Sequence, residues 1–212
     1  MIKEWVPSGP VRTRLGRRVL DTAEGILIGL RRCDTDAALQ ELVTASRKHG
    51  VAVFAIASAL VDLAGGADQA ADLGRDAQSA ARREWRQLLT EVRNGACTAM
   101  DLTSEQPDEK GTERTMTPYH PLRSTDPRSQ PRTHPLDTAE GVIVALLGCS
   151  LNQAFIELVR MANRHHVAPL HLADALVVVA ENKPAVALDA NAVFAARQGW
   201  GVLLEGQQPG DF

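Results

Sequence analysis

Residues 21–33 read DTAEGILIGLRRC, and residues 137–149 read DTAEGVIVALLGC. Displacing the chain against itself by 116 positions pairs Asp21–Ala64 with Asp137–Ala180 without a gap. Of those 44 pairs 19 are identical, among them Glu24/Glu140, Cys33/Cys149 and His49/His165. The likeness resumes one residue out of step, where AARREWRQLL (80–89) meets AARQGWGVLL (195–204) with Trp85 and Trp200 in register. A repeat of about seventy residues in two copies is domain-sized, which separates a duplicated small domain from a solenoid.

Composition fixes the class of that domain. A chain of 212 residues that is 44% hydrophobic has room for two small cores. Only 4% of it is aromatic while alanine and leucine abound, a balance that favours closely packed helices over sheets, so an all-α fold is expected. The formal net charge of −3 speaks against a protein that grips long duplexes by neutralising phosphates, while leaving room for a local basic site. No apolar run approaches the roughly 20 residues of a membrane span, and the opening MIKEWVPSGPVRTR has no apolar signal core, so a cytoplasmic protein is expected. Cys33, Cys97 and Cys149 make no CxxC and read as small buried residues in a reducing compartment.

The periodicity places four helices in each copy. Val19, Ala23, Ile26 and Leu30 recur at helical steps within a first helix over Thr13–Arg32. In the second copy Asp137 reads as its cap, with Glu140 three residues on. A second helix follows Asp34 or Ser150 and should bury Ala38, Leu42 and Val43, or Phe155, Leu158, Val159 and Ala162. A third should bury Phe54, Ala57, Val61 and Ala64, or Leu170, Ala173, Val177 and Ala180, with Pro169 in its first turn. The fourth carries Trp85 or Trp200 and is weakened in the second copy by Gly199 and Gly201. The predicted organisation is therefore two helical bundles, 13–95 and 136–205, joined by a flexible linker over 96–135 that holds six prolines.

The AEGILIGLRRC string, an acidic cap, an Ala-Leu or Ala-Phe pair, Glu-Leu-Val and an alanine-spaced third helix together resemble the ANTAR domain. That family comprises three-helix RNA-binding modules of bacterial antitermination regulators. Ala23, Gly25, Ala38 and Ala57 carry the resemblance in the first copy, and Ala139, Gly141, Ala154, Phe155 and Ala173 in the second. The resemblance implies binding of paired RNA hairpins, so that an antiterminator forms in place of a terminator. It also implies association of two such units, either the two repeats of one chain or a homodimer. Where the family usually has lysine between Ala and Gly, both copies have glutamate, and a carboxylate turned toward a phosphate repels it.

The candidate RNA contacts are Arg31, Arg32, Arg47, Lys48 and His49 in the first copy and Arg160, Arg164 and His165 in the second. They form a cationic rim at helix ends that suits loop phosphates and splayed bases. The competing structural role for these cations is complementing helix dipoles. His165, His166 and His171 lack partners at metal-ligand spacing, and AGGADQ (64–69) lacks the lysine of a phosphate loop, so neither a metal, a cofactor nor catalysis is expected. The rival reading is a helical module without RNA affinity that dimerises with other ANTAR-type regulators, and Glu24 and Glu140 are its best support.

Overall fold

A computed structural model describes residues 10–66, 74–100, 135–186 and 188–205, with the side chains of 10–15 and 95–100 left aside. These residues form eight α-helices and no strand: α1 Pro10–Arg31, α2 Thr35–His49, α3 Val53–Ala64, α4 Arg75–Met100, α5 Pro135–Leu147, α6 Leu151–Arg164, α7 Pro169–Ala180 and α8 Ala190–Glu205. The predicted linker lies outside the described residues from 101 to 134, and α4 runs to Met100 before it.

Local chemistry explains the helix ends. Asp34 accepts from the Ala37 N–H as N-cap of α2, and Ser150 with Gln153 forms a capping box on α6. Pro169 opens α7, where its missing N–H costs nothing. The expected cap at Asp137 is not one: α5 starts two residues earlier, at Pro135, and Arg18 of α1 takes the Asp137 carboxylate at 3.0 Å. A cross-repeat ion pair thus replaces the local cap.

Within each repeat the packing is alike. α1 rests on α3, and α3 on α4; α5 rests on α7, and α7 on α8. The fourth helices pack chiefly on the third helices of their own repeats, α4 also meeting α5 and α8, and bury Trp85 and Trp200. The largest interface in the molecule, however, joins α1 to α5, and the buried side chains of both repeats form one continuous core. The first helix was expected to bury one face, yet every residue from Asp21 to Leu30 is buried. A helix enclosed on all sides belongs at the centre of a core rather than at its edge.

The α1/α5 seam is parallel and symmetric. Positions related by the 116-residue repeat face one another: Gly25 meets Gly141, and Gly29 meets Ala145. A methyl on Gly25 would overlap the Thr138 carbonyl oxygen and stand 2.8 Å from its carbon. One on Gly141 would overlap the Thr22 carbonyl oxygen and stand 3.0 Å from the Gly25 Cα. Thr22, Gly25 and Gly29 follow at steps of three and four, so small residues line one helical stripe and let the two backbones touch.

Two expectations about the third helices need correction. Ala57, Ala64, Ala173 and Ala180 are buried as predicted, but Phe54 and Leu170 are about half exposed and Val61 and Val177 only partly covered. The inward positions are instead Ile56, Ala59 and Leu60, with Leu172, Ala175 and Leu176 in the second repeat. Phe155, expected inside, is 43% exposed beside a cleft between the repeats. The third helices thus turn inward a face of alternating alanine and larger aliphatic residues.

Candidate nucleic-acid interface

The cations at the end of α2 lie where α2 crosses α4. Glu84 of α4 accepts from both Lys48 Nζ and His49 Nε2, each at 2.7 Å. Those two hydrogen bonds hold the Glu84 carboxyl below the usual carboxylate range. Next to Glu84 the buried Trp85 donates its indole N–H to Glu41 at 2.7 Å, and Glu41 also accepts from Arg31 at 3.3 Å. Glu41 and Glu84 thereby hold Arg31 and the Lys48–His49 pair about two turns apart along α2. Arg47 is exposed at the same helix end and makes no ion pair with a described residue. Arg31 and Lys48 are themselves exposed, and surface pairs of this kind contribute at most about 1 kcal/mol, so a phosphate can displace their partners at little cost.

Arg32 pairs with neither of these carboxylates. It ends α1 in the left-handed conformation, at φ 55°, and its N–H donates to the Ile28 carbonyl. Its half-buried guanidinium is held below its ordinary pKa by burial, against the pull of Glu205 on α8. Its Nη1 is buried without a hydrogen-bond partner among the described residues. Beside it, the Thr35 N–H and hydroxyl both donate to Glu181, at 2.9 and 2.7 Å, tying the start of α2 to the end of α7.

In the second repeat the rim is built differently. Arg160 pairs with Glu157 at 2.9 Å, and exposed Arg164 makes no ion pair with a described residue. His165 is partly buried and lies edge-to-face with Phe194 of α8, centroids 6.2 Å apart and planes at 75°. The position matching Glu84 is Gly199, where a Cβ would stand 2.8 Å from the Met161 methyl. Met161 thus takes the volume that Glu84 fills in the first repeat, and Arg164 and His165 lose the carboxylate that holds Lys48 and His49.

Glu24 and Glu140 are not turned toward any ligand surface. Both are buried, 6% and 3% exposed, Glu140 at the α1/α5 seam beside Arg18 and Glu24 among Asp21, Asp36 and Arg17 of its own repeat. Burial pushes Glu24 up to about 7, with Asp21 and Asp36 adding to the effect and Arg17 opposing it. Burial also raises Glu140, but Arg18 donates to it at 3.1 Å and offsets part of the rise. Arg18 therefore spans Asp137 and Glu140 of the other repeat. Arg18→Met should lower stability at pH 8 by about 1–3 kcal/mol, because Glu140 would keep its burial and lose its cation. Chemical denaturation of the two proteins side by side measures this, and an unchanged midpoint would show that the pair contributes nothing.

Sequence reasoning missed Glu84, Glu41 and Phe194. The first two were legible as carboxylates, but the crossing of α2 over α4 that makes them partners is a tertiary fact. The thiols of Cys33 and Cys149 are raised by burial, Cys33 to about 11, as suits partly covered unreactive residues. No group of three metal-ligating side chains occurs among the described residues, and no single described helix is long and apolar enough to cross a membrane.

No curated protein and no solved structure matches the chain. A family model does match, and it covers α2, most of α1 and most of α3 without extending to the second repeat. The ANTAR domain is a non-catalytic RNA-binding regulatory domain, and residues 12–61 of this chain match it.

Proposed function

We propose that the chain is a cytoplasmic RNA-binding regulator of transcription antitermination, acting on hairpin loops in nascent transcripts. In this reading its two repeats, 13–95 and 136–205, are both ANTAR-like and pair with each other in place of a homodimer. The match of residues 12–61 to the ANTAR domain carries the reading. The row of Arg31, Lys48 and His49 along α2, held by Glu41 and Glu84 with Arg47 beside them, supports it. So does the burial of Glu24 and Glu140, which removes the two carboxylates that counted against phosphate binding. The contacts proposed are Arg31, Arg47, Lys48 and His49 in the first repeat and Arg160, Arg164 and His165 in the second. Arg32, partly buried at the end of α1, is proposed with them.

The pairing of α1 with α5 also bears on the rival reading. A dimerisation module needs a free helical face, and the small-residue face of α1 is already covered within the chain. The RNA reading is tested by fluorescence anisotropy with a labelled hexaloop hairpin. Arg47→Ala/Lys48→Ala should weaken binding whatever the loop sequence. It should also make the dependence of log K on log salt shallower by about 1.4, since each single-strand phosphate contact contributes about 0.7. A double variant that binds with the wild-type slope would remove these residues from the interface.

A further inference from the structure

We infer that Phe194, with His165 and Arg164 beside it, is a stacking platform for an unpaired RNA base, so that the second repeat reads a loop base where the first holds only phosphates. This deepens the RNA reading above and rests on it. Phe194 is 62% exposed, although a phenylalanine on a helix that already buries Ala192, Ala195, Ala196, Trp200 and Leu204 is not needed for the core. It is not loose, because the edge-to-face contact with His165 fixes the ring while leaving much of it open to solvent.

Its surroundings are polar and cationic. One turn away on α8 stand Asn191, Arg197 and Gln198, with no carboxylate among them, and across from it Arg164 is exposed next to His165. Gly199 replaces the glutamate that neutralises the same corner of the first repeat. An open aromatic ring with Arg197 one turn along its helix and Arg164 next to its ring partner His165 suits one ligand chemistry: a base that stacks, carried on a backbone whose phosphates the arginines meet. The repeat alignment puts Ser79 where Phe194 stands, so the first repeat cannot offer the same surface. The two halves of the chain therefore make unlike contacts with RNA despite their common descent.

The test compares the full chain with Phe194→Ala and Phe194→Trp, titrated against a hexaloop hairpin and against the same stem as a blunt duplex, with thermal melting to confirm the fold. Stacking on an aromatic side chain corresponds to a roughly 5- to 150-fold change in affinity. Phe194→Ala should lose that factor on the hairpin and nothing on the duplex, and Phe194→Trp should retain hairpin binding. If wild-type protein binds the hairpin and Phe194→Ala binds it equally, or loses as much on the duplex, the platform is overturned and the RNA reading stands. If folded wild-type protein binds no hairpin, both are overturned.

Discussion

Gly25→Ala and Gly141→Ala should each destabilise the protein by about 3 kcal/mol or more, the upper end of what overpacking a core costs. The sign is informative, because alanine is the better helix former and the same change inside an unobstructed helix gains about 1 kcal/mol. At Gly25 that gain is overwhelmed, since the new methyl overlaps the Thr138 carbonyl of the facing backbone, which has no rotamer to change. Gly141 meets Thr22 in the same way. Gly201 of α8 is the internal control: a Cβ there would meet only Arg197 Cβ at an ordinary 3.8 Å, so Gly201→Ala should stabilise. Denaturant midpoints for the three variants measure the contrast. Stabilisation of all three would mean that the repeats do not pack through this seam.

Glu24→Gln should stabilise the chain by about 2–3 kcal/mol at pH 8 and leave it unchanged near pH 4. The folded-state pKa of Glu24 is raised from 4.5 to about 7, so folding favours the protonated carboxyl. The stability that this proton confers is complete below 4.5 and is lost as pH rises through about 7. Each unit of separation corresponds to about 1.4 kcal/mol, and the glutamine amide keeps the neutral form at every pH. Glu140→Gln should gain less, because it gives up an ion pair with Arg18 that Glu24 does not share. Stability curves of wild type and both variants from pH 4 to pH 8 check this; parallel curves for wild type and Glu24→Gln would place Glu24 in water rather than in the core.

These two predictions concern a feature that the sequence announced without explaining. DTAEG occurs twice, and the repeat made the two sets of four helices and their caps at Asp34 and Ser150 legible. Local signals suffice there, because a cap depends on residues three positions apart. The use of the motif was not legible. A periodicity of four, three and four shows one apolar face, while the side of α1 that meets α5, about a quarter-turn round the helix, is lined by glycine and threonine, residues that carry no apolar signal. Glu24 and Glu140 read as surface charges because a buried carboxylate is rare, and only the facing helix reveals Arg18 as the partner of one of them. At the rim, Lys48 and His49 were found as cations at a helix end, whereas the Glu84 that collects them lies 35 residues from His49 in another helix. Nor was the partial burial of Arg32 legible, since the charge that acts on it, Glu205, belongs to the other repeat.

The RNA reading is tested most directly by titrating the intact chain with a hexaloop hairpin at salt concentrations between about 50 and 200 mM. Contact by three or more of the proposed cations predicts that log K falls linearly with log salt, with a slope of about −2 or steeper. A folded chain that does not bind the hairpin, or that binds with an affinity indifferent to salt, would contradict it.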